Sequence, residues 1–273
     1  MIRRGDRVRL SRSDDPSTLA TEIGDARYAD IKNPMPVGVL REFAAALADC
    51  NRLRICIYEA ALDRQLEVVN AFRELATARV WLLASASTRL DFDALAGHPA
   101  VERIRFTSGG RRDLRWLPSL PNLLDLELWR ITRLGDEDLA PLGDASLDAL
   151  VLGAARHVRS LAFAPATLRY LELERTPHLD SFDSLETPRL RAVVLTEARP
   201  SDRRLTPLAR SPLDAALVGD VYPPDEVAAF ANAFSGRLLS VGGEYLVGTH
   251  DVAPELGWRT LLDHVDAERR RDG

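Results

Sequence analysis

Lysine and cysteine are almost missing from this chain: Lys32 is the single lysine, and Cys50 and Cys56 are the two cysteines, in 273 residues. Two thiols, with Cys56 expected in the core, cannot build a disulfide framework, so a reducing cytoplasm is the expected compartment. The use of arginine for almost every basic residue reads as GC-rich coding and points to a bacterial source. Long apolar runs are also lacking. The opening residues, Met1 to Leu10, are broken by charge at nearly every step, which excludes a secretory signal there, and no later stretch reads as a membrane span. A net charge of -5 argues against nucleic acid as the main partner, because phosphate binding relies on a concentrated positive face. The usual catalytic signatures are absent as well: no G-x-S-x-G, no phosphate-cradling glycine loop, no H-E-x-x-H and no C-x-x-C pair. No enzyme and no cofactor is expected.

What the chain does have is self-similarity. Six segments carry apolar residues at relative positions 1, 4 and 6: VERIRF from Val101, LLDLEL from Leu123, LDALVL from Leu147, LRYLEL from Leu168, LRAVVL from Leu190 and LDAALV from Leu213. Their starts are 22, 24, 21, 22 and 23 residues apart. Stepping back 23 residues from Val101 puts Trp81 and Leu83 in the same slots, and a further 25 puts Cys56 and Tyr58 there. On that count Trp81 is a core filler. Stepping forward from Leu213, Leu238 and Val241 fit while Gly243 does not, so the pattern decays. Between these segments stand an apolar pair and then a proline, as in Leu117 with Pro121 and Leu208 with Pro212. Proline neither donates to a ladder nor extends a helix, so the returns are expected to be extended or short 3₁₀ segments.

In the pattern L-x-x-L-x-L, matched through residues 53 to 220, the chain resembles the leucine-rich-repeat family. The resemblance implies an α/β fold: a right-handed β-α superhelix, with a curved parallel sheet on the concave side and a thin 3₁₀ or extended convex side. One such unit cannot bury its apolar edge alone, whereas stacked units share a continuous core. The chain departs from the family at position 9, where asparagine or cysteine commonly satisfies turn backbone; here stand Ala61, Ala86, Gly109, Ile131, Ala155, Thr176, Ala198 and Val221. Its turns must satisfy their backbone groups by other means.

Helical caps are expected at both ends. Leu40, Phe43, Ala44 and Leu47 share one helical face, and Leu62, Leu66, Val69, Phe72 and Leu75 share another. At the far end Pro223-Pro224-Asp-Glu opens a helix, a strand follows near Leu238, and Trp258, Leu261, Leu262 and Val265 mark a last amphipathic helix before the ERRRD tail. The resulting division is residues 1–52 as an N-terminal segment with a capping helix, 53–220 as about eight repeats and 221–273 as the C-terminal cap.

Side chains between the core positions should line the concave sheet, with equivalent residues stacking at about 4.8 Å. The middle of that surface is charged and aromatic. The candidate partner site comprises Arg103, Arg105, Asp125, Glu127, Trp129, Arg130, Tyr170, Glu172, Glu174 and Arg175, since Trp, Tyr and Arg dominate binding hot spots. The competing reading is that Arg103 with Asp125, and Arg105 with Glu127, are ion pairs between neighbouring rungs, worth at most about 1 kcal/mol when exposed. The flanking columns, Ile55, Ile57, Val80 and Leu82 at one end, Val194 and Leu217 at the other, are apolar, which implies contact with a partner or with the chain's own termini. His157 and His178 stand at position 11 of successive repeats, but no third ligand in register accompanies them, so no metal is expected. Arg4-Gly5-Asp6 is read as a chance tripeptide.

The expected function is that of a non-catalytic, monomeric scaffold whose concave face holds a protein, inhibiting or regulating it in the manner of an immunity protein or antitoxin. Membrane and nucleic acid are not expected partners. The alternative is a secreted effector that captures a host protein, which would need a translocation signal within residues 1 to 35.

Overall fold

The computed structural model describes residues 2–50, 52–75, 79–110, 113–248 and 261. The chain divides into two units, Met1–Leu126 and Glu127–Gly273.

In the first unit β1 (Ile2–Arg4) and β2 (Arg7–Leu10) form an antiparallel hairpin. Strands β3 (Tyr28–Ile31), β4 (Arg54–Tyr58), β5 (Arg79–Ala86) and β6 (Val101–Gly109) then follow β2, parallel and in chain order. Their sequences alternate, and alternation sends successive side chains to opposite faces. Val8, Ala29, Ile55 and Val80 form one buried row, and Leu10, Ile31, Ile57 and Leu82 the next. The residues between them lie on the open face, away from the core.

The parallel strands therefore begin at Arg7 rather than near Leu53. Helix α1 (Pro16–Ile23) links β2 to β3; Pro16 starts it, the Asp15 carboxylate caps the Ser17 N–H at 2.9 Å, and Leu19 and Ile23 point into the core. The helix expected as a cap is α2 (Val37–Ala46), and it connects β3 to β4 inside the array. Its apolar face, Leu40, Phe43 and Ala44, is buried as the spacing implies. Only one turn of the next expected helix forms, α3 (Glu67–Asn70), because Leu66 before it is left-handed at φ 55°.

One local irregularity matters for the whole reading of this unit. Val80 pairs with Val101 but Trp81 pairs with Arg103, so Glu102 is an extra residue in β6. A constant count back from Val101 then lands one residue off, and a one-residue slip exchanges the faces of a strand. Val80, Leu82 and Ala84 are the core residues of β5, while Trp81 and Leu83 face outward. Ile55, Ile57, Val80 and Leu82 are accordingly buried in the core and are not an apolar stripe on the surface.

Strand β7 (Asp125–Trp129) straddles the division between the units. In the second unit β8 (Ala149–Gly153), β9 (Tyr170–Glu174), β10 (Ala192–Thr196), β11 (Ala215–Val218) and β12 (Leu238–Val241) are parallel in chain order, and β13 (Glu244–Val247) returns antiparallel to β12. Here the repeat holds: Leu147, Leu150 and Leu152, then Leu168, Leu171 and Leu173, then Leu190, Val193 and Leu195 are all buried. The returns are short, with α4 (Asp136–Leu139) running into a 3₁₀ turn at Ala140–Asp144 and another 3₁₀ turn at Thr206–Arg210; Pro141 and Pro207 sit in their first turns. Helix α5 (Pro224–Ala233) starts on proline as expected. The expected final helix, with Trp258, Leu262 and Val265, lies outside the described residues; Leu261 alone of that stretch is described, and it is helical.

The absent position 9 side-chain ladder has a backbone substitute. At position 8 Arg130, Ala154 and Arg175 adopt left-handed φ of 51°, 55° and 52°. Their N–H groups donate to the Gly153, Glu174 and Thr196 carbonyls of the following strand at 2.8, 2.7 and 2.9 Å. Position 9 can then be apolar: Ile131, Ala155 and Ala198 are buried there.

Candidate functional site

On the open face of the first unit, cations are laid on aromatic rings. The Arg7 guanidinium lies 4.6 Å from the centre of the Tyr28 ring, and the Lys32 ammonium 4.6 Å from that of Tyr58. Trp81 takes Arg103 at 4.8 Å and Arg54 at 5.6 Å, and its ring packs on Tyr28 with centres 5.3 Å apart. Strand register produces this, because Tyr28, Arg54 and Arg79 share one row, and Asp30, Cys56, Trp81 and Arg103 the next.

The buried carboxylate of Asp30 anchors the cluster. Arg7 donates to it at 2.6 Å and Lys32 lies 3.6 Å away. The same guanidinium reaches the Tyr58 hydroxyl at 3.3 Å and the Cys56 sulfur at 3.5 Å. Hydrogen bonding to Asp30 pushes the Arg7 pKa up. Burial raises the Cys56 thiol to about 11, so at neutral pH it is protonated and a poor nucleophile. Arg103 also pairs with Asp125 at 3.2 Å, an aspartate almost wholly covered.

The open face of the second unit is different. Ala149, Val151, Tyr170, Ala192, Val194, Ala215 and Leu238 form a buried apolar cluster with Leu261, and Trp129 and Leu217 pack at its edge. Of the apolar columns expected to imply contact, the one with Val194 and Leu217 belongs to this cluster, Val194 buried and Leu217 half-buried, and Leu261 of the chain itself takes part in it. Trp129 lies flat over Gly153, where a Cβ would fall 1.9 Å from its ring, and its indole N–H donates to Glu127 at 3.2 Å. The Tyr170 hydroxyl donates to Glu172 at 2.7 Å.

No protein-family model and no curated protein matches the sequence. Among solved structures, an internalin of Listeria monocytogenes (inlF) superposes with a TM-score of 0.50 at 14% identity, covering 83% of this chain and 60% of that one. Internalin C2 of the same organism gives 0.46 at 15% identity, covering 72% of this chain and 81% of that one. The chain spans about 60% of the length of the first. It folds as a leucine-rich-repeat protein.

The leucine-rich-repeat frame places the ten expected partner-site residues unevenly. In the first unit Arg103 and Arg105 are half-buried on the open face and Asp125 is buried. In the second unit Glu127 and Tyr170 are buried, Trp129, Glu172 and Glu174 are half-buried, and only Arg130 and Arg175 are exposed. The last pair hold left-handed turn positions of the repeat, and Arg175 is engaged by Glu197 at 3.1 Å and Glu174 at 3.8 Å. Tyr170 in particular serves the covered apolar cluster. Sequence reasoning missed Arg7, Tyr28, Asp30, Arg54 and Tyr58, and assigned Trp81 to the core. The period-two alternation of R-V-R-L, Y-A-D-I and R-I-C-I-Y is the signal that marks them. His157 and His178 are both exposed, and no group of three or more metal-ligating side chains occurs among the described residues.

Proposed function

We propose that the chain is a non-catalytic binding scaffold whose contact surface is the open face of the first unit. One observation carries this reading: Trp81, Tyr28 and Tyr58 stand outside the core with Arg54, Arg103, Arg7 and Lys32 held against their rings. Aromatic and arginine side chains supply large contact area with little ordering cost, the composition of binding hot spots. Packing alone does not call for them, since the core rows of the same strands are complete without them. The apolar row of the second unit's face is already engaged in a buried cluster that includes Leu261, which favours the first unit as the contact surface. The bound protein is inhibited or regulated by being covered, inside the cell, by a single copy of the chain.

Affinity capture from the source organism tests this. Trp81→Ala and, separately, Arg54→Ala should each lose the partner taken by the wild type, while Arg130→Glu and Arg175→Glu in the second unit retain it. Unchanged capture by both first-unit variants would overturn the assignment.

A further inference from the structure

We infer that the first unit recognises an acidic, extended segment of its partner, seated in an arginine-lined cleft beside the aromatic cluster. This rests on the binding-scaffold reading and adds the chemistry of what is bound.

The chain is acidic overall, yet the outward positions of the first unit's strands are held by Arg7, Arg9, Arg54, Arg79, Arg103 and Arg105. Three covered carboxylates answer part of this charge: Asp30 meets Arg7, Glu102 meets Arg79 at 3.4 Å, and Asp125 meets Arg103. Three further arginines, Arg27, Arg52 and Arg54, have no such answer among the described residues. An open cleft of about 1000 Å³ runs along the strand starts, lined by Arg27, Arg52, Arg54 and Arg79, with Asp6 and Asp25 also at its wall. Arg27, Arg52 and Arg54 make no ion pair among the described residues, and the buried Nε of Arg54 has no hydrogen-bond partner. Guanidinium groups lining one cleft add their positive potentials. Each is a planar fork matched to an oxyanion, so an anionic ligand meets that potential and fills the forks at once. Arg54 both lines the cleft and stacks on Trp81, so a chain lying across the aromatic cluster continues directly into it.

Two features favour carboxylates on a polypeptide over a nucleic acid strand. Single-stranded nucleic acid binds by stacking its bases on open ring faces, and here Tyr28, Tyr58 and Trp81 are each already faced by a cation of the chain. Asp6 and Asp25 at the cleft wall also lower its positive charge, which disfavours the closely spaced phosphates of a nucleic acid strand more than the wider-spaced carboxylates of a peptide.

Fluorescence anisotropy of the full chain with a labelled oligoglutamate peptide tests the inference, with an oligothymidylate of equal charge alongside. Arg27 and Arg52 are exposed and unpaired, so Arg27→Glu with Arg52→Glu should leave the circular dichroism melt unchanged and weaken peptide binding at least about tenfold. Arg156→Glu with Arg199→Glu, exposed in the second unit, should not. No peptide binding, indifference to the Arg27 and Arg52 changes, or tighter binding of the oligothymidylate would each overturn it. Failure here with loss of partner capture in Trp81→Ala would remove the acidic segment and leave the scaffold reading standing.

Discussion

His98 shows how one buried polar side chain ties the returns of the first unit together and makes its stability depend on pH. Its Nε2 donates to the Val69 carbonyl at 3.1 Å, and its Nδ1 accepts the Ala100 N–H at 3.2 Å, an arrangement only the neutral ring can hold. Burial lowers its pKa from 6.5 to about 4. Between those values the unfolded chain binds a proton that the folded chain refuses. The contribution of the neutral ring is therefore whole above pH 6.5 and is lost as the pH falls toward 4, by roughly 3 kcal/mol across the window. Urea midpoints measured between pH 6.5 and 5 should fall in the wild type and be flatter in His98→Leu, which is less stable throughout. Parallel slopes would show that His98 is not the titrating group.

At the scale of the element, the repeating turn after β7, β8, β9 and β10 rests on a non-glycine residue in the left-handed region, Arg130, Ala154, Arg175 and Glu197. Ala154 gains nothing from its methyl group in the left-handed region, and a non-glycine there costs about 1 kcal/mol. Ala154→Gly should raise the unfolding free energy by up to that amount, read as a higher urea midpoint, keeping the 2.7 Å bond to Glu174. Ala155→Gly, one residue on, buried and with ordinary backbone, should lower it. If both lower it, relief of strain at position 8 is not what the change reports. The same scale explains why some repeats were legible and others were not. From Leu123 to Leu213 the L-x-x-L-x-L spacing coincides with the buried rows. In β5 it fails, because the extra residue Glu102 in β6 breaks the count, and in β2 and β3 the strands are too short and too charged for a leucine-based search to find.

For the molecule as a whole, the two units treat their open faces in opposite ways. One presents cations and aromatic rings, and the other buries an apolar row in which Leu261 takes part. Leu261→Asp places a charge in that cluster and should lower the second unit's stability by about 3 kcal/mol, with Trp129 emission moving to the red as its surroundings become wet. Leu246→Asp, at a side chain 49% exposed, should change little. Equal effects from the two would show that Leu261 is not an integral part of the cluster.

The sequence by itself determined the repeat, its period and the core residues of the second unit, because burial recurring at a fixed spacing is a local property that each strand states for itself. It also showed that the position 9 ladder is missing and that the column of Val194 and Leu217 is apolar, while its count misplaced Ile55, Ile57, Val80 and Leu82 on the surface. Only the tertiary structure decided which face each strand of the first unit turns outward, since register depends on how a strand pairs with its neighbour and a single inserted residue reverses it. It alone placed Arg7, Tyr28, Asp30, Tyr58 and Trp81 together, residues that span more than seventy positions and meet through strand stacking. And it alone showed Leu261 against the apolar row, a contact between distant segments that no spacing in the chain records.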